Sequence, residues 1–346
     1  MVGQFGADLG EIVGSIGRRI GLGAGRLGLG LGLGLGPDSS SAPLPATGSA
    51  SVSASADALY LDGALWNVRF PRLALGALVG GALGLGGALM QGAFGNPLAE
   101  PGVIGVSGGS AVGAAAAIVA GWDFAGATTV PLLALTAGVT TAVLVSLLSR
   151  SGARTEVLSL VLTGIAVNAI ASALIAFLVF IGDTASREQI VFWQLGSLSG
   201  ADWAAVGAVL PFIVVGTTGA LVSARRLDLL ALGERSAGHL GVSTERLRLL
   251  CVLCVAILTA AAVAYAGIIA FVGLIVPHLL RLALGPEHRT LLPASALGGA
   301  LLVSGADIAA RTVVSFADLP IGMFTACVGA PVFFVLLRRS LRGAAA

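Results

Sequence analysis

Three sets of residues have types that could do chemistry. Cys251 and Cys254 form a CxxC, yet no second cysteine pair or nearby histidine completes a metal site. Like Cys327, both lie in apolar stretches and read as small buried packing residues. Ser107, in Gly105-Val-Ser-Gly, together with His278 suggests an intramembrane serine protease. A nucleophile needs its base within hydrogen-bond reach, and close helix packing explains a small residue at 107 equally well. His278 has no second histidine on its face to share a metal. Asp307 and Arg311 stand four apart, the spacing of an ion pair within one helix. In a membrane such pairing avoids an isolated charge, so His278, Asp307 and Arg311 read as structural in the first instance. ATP hydrolysis by a phosphate-cradling GxxxxGK[ST] loop is excluded, because every basic side chain is arginine and no lysine occurs.

The elements that position these residues are set by composition. Apolar residues make up 56% of the 346 positions and charged residues 10%, against roughly 25% charged in an ordinary soluble domain. The mean hydropathy is +0.99. A fold with so few charges cannot cover itself against water and dissolves in lipid instead. A crossing takes about 20 apolar residues, which leaves room for about ten helices in an all-α, polytopic bundle. The net charge of +2 gives no reason to expect nucleic acid.

The pattern predicts spans at 72–94, 102–121, 128–148, 156–181, 203–223, 249–267, 270–284, 291–312 and 321–337. The seventh is short and interrupted by Pro277, and is expected to be broken or tilted. Residues 1–57 form a separate Gly/Leu- and Ser/Pro-rich region, ahead of the span-bearing region at 58–346. A first crossing at 12–36 meets the cost of its glycines and of Arg26 at mid-span. It reads as a poor helix, a helix rescued by neighbours, or a tail. A cleaved signal peptide fits less well, since no clean apolar core precedes a small-residue cleavage site.

With the C-terminus inside, the inner set is Arg18, Arg19, Arg150, Arg154, Arg225, Arg226, Arg235, Arg246, Arg248, Arg289, Arg338, Arg339 and Arg342. It far outnumbers the outer set of Arg69, Arg72, Arg187 and Arg311, as cytoplasmic loops require. Arg26 and Arg281 stay unassigned. Gly76, Gly80 and Gly84 share one helix face, as do Gly105, Gly109 and Gly113, a spacing that lets transmembrane backbones approach closely.

Polar and proline-containing stretches punctuate the span ends. They are Arg69-Phe-Pro-Arg72; Gln91 through Asn96-Pro97 and Glu100-Pro101 into Gly-Val-Ile-Gly-Val-Ser-Gly-Gly; Phe192-Trp-Gln-Leu-Gly-Ser-Leu-Ser-Gly; Leu229-Leu-Ala-Leu232-Gly233-Glu234 with Leu240-Gly241-Val; Gly273-Leu-Ile-Val-Pro277-His278-Leu-Leu-Arg281; and Asp307-Ile-Ala-Ala-Arg311 with Leu319-Pro-Ile-Gly and Gly329-Ala-Pro. Asn96-Pro97 and Glu100-Pro101 break the helix between the first two clear spans, and Asn96 is placed to satisfy the freed backbone. Residues 225–248 form a charged loop with short helical pieces broken at Gly233 and Gly241.

In this order, over about residues 66–339, the stretches closely resemble the FecCD-type permeases, which import vitamin B12, haem and iron–siderophore complexes. The N-terminal region departs from that family's ordinary apolar first helix. The resemblance implies a multi-pass permease of the bacterial cell membrane. It would bind no cofactor itself and be driven by ABC ATPase subunits that use ATP. Its other partners would be an extracytoplasmic substrate-binding lipoprotein or periplasmic protein, membrane lipid, and a second permease copy or paralogue. The cargo implied is a metal chelate, iron–siderophore ahead of haem or cobalamin. Leu229, Leu232, Gly233, Glu234, Leu240 and Gly241 would then belong to a coupling loop seated on the ATPase. Arg69, Arg72 and Arg311 would pair with acidic groups of the binding protein; from residue type alone they read as interfacial snorkelling arginines. Spans 156–181 and 321–337 would help line the path. The motif residues Asn96, Pro97, Pro101, Pro277, His278, Arg281 and Asp307 would be structural. The competing reading is an ion-coupled secondary transporter, for which Asp307 is the one reasonable mid-span acid.

Overall fold

The computed structural model describes residues Gly10, Ile12, 14–16, 61–151, 154–155, 157–313 and 319–344. It divides into two units, Met1–Pro71 and Arg72–Ala346. In the first, Gly10, Ile12 and 14–16 are helical, and the Trp66 indole N–H donates to the buried Ser15 hydroxyl at 3.1 Å. Trp66 meets Phe70 edge-to-face at 4.9 Å, and Leu65–Arg69 forms one π-turn. Most of the expected crossing at 12–36 lies outside the described residues, as does nearly all of region 1–57.

Helices follow in the order α1 (Phe70–Phe94), α2 (Val106–Ala120), α3 (Thr129–Leu148), α4 (Val157–Ile181), α5 (Thr184–Leu195), α6 (Trp203–Ala231), α7 (Glu234–His239), α8 (Thr244–Ala266), α9 (Val272–Leu284), α10 (His288–Val313) and α11 (Ile321–Ala344). All nine predicted spans are helices. A two-residue ladder pairs Arg150 with Thr155 and Ser151 with Arg154. Among the described residues six spans are long and apolar enough to cross a membrane, and 106–120, 272–284 and 321–335 are shorter apolar helices.

Three differences from expectation have physical causes. Helix α5 carries Arg187, Glu188 and Gln189 amid apolar residues, so it lacks a spanning signal; Asp183 caps it, accepting the Ser186 N–H at 2.8 Å. The Ser186 hydrogen bonds hold the Asp183 carboxyl below its ordinary range. Helix α6 does not stop near 223 but runs through Arg225 and Arg226 to Ala231, so much of the segment 225–248 is helix end rather than loop. Pro277 sits inside α9 without ending it; the Gly273 carbonyl that it leaves without its usual donor packs against Gly87, where a side chain would collide.

In lipid no hydrophobic force drives helices together, so close packing must do so. The glycine stripes supply it. Gly80 abuts Gly299, and Gly84 abuts Ser295 and Gly299, at separations that leave no room for a methyl group. Four residues forward on α1 matches four residues back on α10, which makes the pair antiparallel. Gly109 and Gly113 of α2 fit likewise against Thr141 and Leu133 of α3. At the centre, Thr259 through Ala264 of α8 are all buried. The apolar window of α8 is 72% buried, that of α4 only 11%, so α4 turns most of its apolar surface outward. Cys251 and Cys254 are buried as expected, but Cys327 is exposed on α11, which corrects the reading of all three as buried packing residues.

Candidate functional site

Two polar clusters mark the two ends of α1, joined to it at Arg72 and at Ala93 and so separated by about 32 Å of helix. Between them α1 is apolar or glycine except for Gln91, whose amide N–H donates to the Leu274 carbonyl at 3.1 Å.

At the end that carries the predicted coupling residues, Gly233 closes α6 with φ 102° and Gly241 follows α7 with φ 81°. Both conformations are disfavoured for side chains other than glycine, so these two residues delimit a six-residue helix standing between two longer ones. Ala237 is the buried side chain of α7. Leu232 and Leu240, flanking it, are 66% and 58% exposed, whereas Leu229 is half-buried within α6. The result is a small projecting knob with two apolar tips and a charged face. It is braced from behind. Glu234 accepts an ion pair from Arg248 at the start of α8, and the Arg248 Nε–H reaches the Ala93 carbonyl near the end of α1 at 3.3 Å. Asp228 of α6 receives both the backbone N–H of His288, at 2.7 Å, and its ring Nδ1, at 2.8 Å. The knob is thereby tied to α8, which Arg248 joins to α1, while Asp228 joins the adjoining end of α6 to α10. Asp228 and His288 were not singled out in the sequence, because a separation of 60 positions leaves no spacing signal.

The turn beside the knob follows the helix-breaking motif. Asn96 Oδ1 accepts the Leu98 N–H at 2.9 Å, as expected for a residue satisfying backbone freed by proline. Pro101 opens a 3-10 turn that ends at Gly105, φ 79°. Glu100 accepts the N–H of Phe271 at 3.3 Å, and Phe271 adopts φ 67°, uncommon outside glycine. Burial pushes the Glu100 carboxyl above its ordinary range, and the Phe271 hydrogen bond pulls the other way. Arg281, unassigned by the arginine count, lies at this same end and lines a cavity with Glu234 and Arg248. Pro97 is on its rim, while Pro277 and His278 lie further along α9.

At the other end of α1, Asp307 is buried and held by two arginines. Arg72 donates from Nη2 at 2.8 Å and from Nε at 3.0 Å to Oδ1. Arg311 pairs with Oδ2 at 3.2 Å, one helical turn away on α10. The ion pair expected between Asp307 and Arg311 is therefore present, and it has a third member. Arg72 is only 7% exposed, so its guanidinium is spent on Asp307 rather than offered at a surface. That alters the docking expectation for Arg72, because a charge so placed would have to leave a buried carboxylate with one of its two cations. Arg311 keeps partial exposure, with 20% of its side chain accessible. Arg69 belongs to the N-terminal unit, where it closes the π-turn half-buried.

Between α9, α10 and α11 lies an apolar cavity of about 290 Å³, bordered by Phe271, Leu302, Phe324 and Val328.

Comparison with known proteins places this architecture among others. The sequence profile described as the FecCD transport family matches residues 39–339. The hemin transport system permease protein HmuU of Yersinia pestis is 41% identical over 292 residues, 80% of this chain and 84% of that one. The cobalamin import system permease protein BtuC of Halobacterium salinarum is 41% identical over 281 residues, 79% of this chain and 72% of that one. A solved structure described as an inward-facing conformation of a putative metal-chelate type ABC transporter superposes with a TM-score of 0.76 at 35% identity, over 81% of this chain and 89% of the other.

Proposed function

Because the chain belongs to the FecCD transport family, we propose that it carries a metal chelate across the cell membrane as the permease of a binding-protein-dependent ABC importer. It is a multi-pass membrane protein, and the relatives named above are permease subunits. The observation that carries the mechanistic reading is the knob at Gly233–Gly241: a short helix, exposed at its apolar tips and braced on α8 through Arg248, which also reaches α1. A soluble ATPase that grips such an element can transmit a displacement to α1, α8 and α10 together. The chain binds no nucleotide and does no covalent chemistry in this reading. Its work is to alternate between two arrangements of packed helices while ATPase subunits in trans supply the energy.

Haem and cobalamin stand first as cargo, because they are what the similar permeases carry by name. Ferric siderophore, favoured by the sequence resemblance, remains a third bulky chelate to be tested. The apolar cavity beside α11 and the outward-facing α4 are the surfaces assigned to the path shared with a second permease copy or paralogue. On the outer face, Arg311 and Arg69 are each assigned to steer an acidic binding protein, a role that acts more on encounter than on affinity.

The test is uptake into proteoliposomes containing the permease, its ATPase and binding protein, with haem, cobalamin and a ferric siderophore offered in turn. ATP-dependent accumulation of one chelate is expected. Accumulation at full rate without the ATPase would overturn the proposal in favour of an ion-coupled carrier. Charge reversal at Arg69 is expected to weaken binding-protein docking while basal ATPase of the complex persists.

A further inference from the structure

The cavity behind the knob holds about 420 Å³ and has a polar lining that the helix packing leaves incomplete. Its rim is exposed, at Gly95, Pro97, Gly233 and Glu234, and its floor is buried, at Gln91, Gly92 and His288. Of its two arginines, Arg248 already has Glu234. Arg281 has no hydrogen bond or ion pair among the described residues, and its Nε and Nη2 are both buried. The His288 side chain is 2% exposed; its Nδ1 is taken by Asp228, and its Nε2, against Gly92, is without a partner among the described residues. Gln91, 1% exposed, spends its amide N–H on Leu274 and keeps an unpaired Oε1.

Buried polar groups are ordinarily satisfied, and each exception asks for a missing partner. The missing partner here must accept from a guanidinium and also donate to a carboxamide oxygen. A simple halide does only the first. A phosphate-type oxyanion that carries a hydroxyl does both: its oxygens take the Arg281 N–H groups, and its hydroxyl gives a hydrogen bond to Gln91. We propose that this cavity is a binding site for such an oxyanion, with Arg281 as the cationic ligand, Gln91 as the acceptor and His288 as the third polar wall. Two sources share that chemistry, free hydrogen phosphate and a glycerol-phosphate lipid headgroup. Basic pockets between membrane helices near the cytoplasmic surface are suited to the second. Glu234 on the rim is paired with Arg248, and Asp228 lies behind His288 rather than on the lining, so Arg281 is the lining cation without a paired carboxylate among the described residues.

The experiment uses the full chain in an uncharged detergent. Unfolding temperature is followed by tryptophan fluorescence during titration with inorganic phosphate and, at matched ionic strength, with sulfate. Both anions stabilise proteins generally by exclusion, so the expected signature is a saturable rise in phosphate above the sulfate baseline. In a second arm, native mass spectrometry counts lipid retained after exchange into phosphatidylglycerol or phosphatidylcholine. R281Q is expected to weaken phosphate binding about tenfold or more and to abolish selective retention of phosphatidylglycerol. A response to phosphate alone identifies a free-anion site, and retention of phosphatidylglycerol alone identifies a lipid site. Superimposable phosphate and sulfate curves with no lipid preference in the unsubstituted chain overturn the proposal, leaving a cavity that holds water only. That comparison needs no variant, so it stands even if R281Q does not fold. It is also independent of transport, since neither the ATPase nor a cargo is present.

Discussion

The two ends of α1 both carry an arginine paired with a carboxylate, and they use it in opposite ways. At one end Arg72 and Asp307 have side chains 8% and 2% exposed, with Arg311 as a second cation. At the other, Arg248 is largely buried but Glu234 is 60% exposed. In the low-dielectric interior a lone Asp307 would be costly, so its two arginines are structurally required. In water Glu234 tolerates solitude, and its pair with Arg248 contributes little to stability. The first cluster fixes helix α10 on α1; the second shapes a surface that another molecule can hold. A membrane protein can thus place similar residues at its two ends and obtain a rivet from one and a handle from the other, through burial alone.

The sharpest break in that contrast is Asp307→Asn. It takes the Asp307 carboxylate away from the buried Arg72 guanidinium and should lower stability by about 3–5 kcal/mol, the range for breaking a buried pair on one side. Thermal or denaturant unfolding in micelles measures it. Arg72→Met combined with Asp307→Leu removes both charges at similar volume and should recover most of the loss. A single substitution no more harmful than a surface charge change would show that the cluster is no rivet.

The next effect tests the strut between the two ends. Gly80→Ala places a methyl group into the Gly299 carbonyl and Val303 of α10. Overpacking of this kind costs about 1–3 kcal/mol. Because α1 and α10 connect the clusters, hydrogen exchange should rise at both ends in this variant. Loosening confined to the Gly80 turn would mean that the ends are held independently.

How legible this was from sequence depended on the range of the interaction. The spans were readable because a run of apolar residues is a local property, and the glycine faces because their period is local too. Gly233 and Gly241 announced the breaks around α7 for the same reason, and the i,i+4 spacing announced Asp307–Arg311. Arg72–Asp307, Asp228–His288 and Gln91–Leu274 join residues 235, 60 and 183 positions apart, so no spacing in one chain could reveal them. Arg72 was therefore read as a surface charge, when a distant acid had already claimed it. Helix α5 escaped because twelve residues with charges set among apolar ones have neither the length of a span nor the composition of a loop.

The smallest stability effect should bring the largest functional one. Glu234→Ala removes an exposed carboxylate from the knob, and surface ion pairs are worth at most about 1 kcal/mol. The unfolding temperature should scarcely move. Yet Arg248, relieved of Glu234, keeps only its contact with the Ala93 carbonyl, and the first residue of α7 loses its tie to α8. A knob that can rock by itself transmits less of any push to α1 and α10, so ATP hydrolysis and cargo uptake should separate: ATPase activity of the assembled complex persists while uptake per ATP falls. Glu234→Gln, which keeps a hydrogen-bond acceptor for Arg248, should lie between the two. If Glu234→Ala instead lowered stability as much as Asp307→Asn, the knob would be a second rivet, and the distinction between the two ends of α1 would collapse.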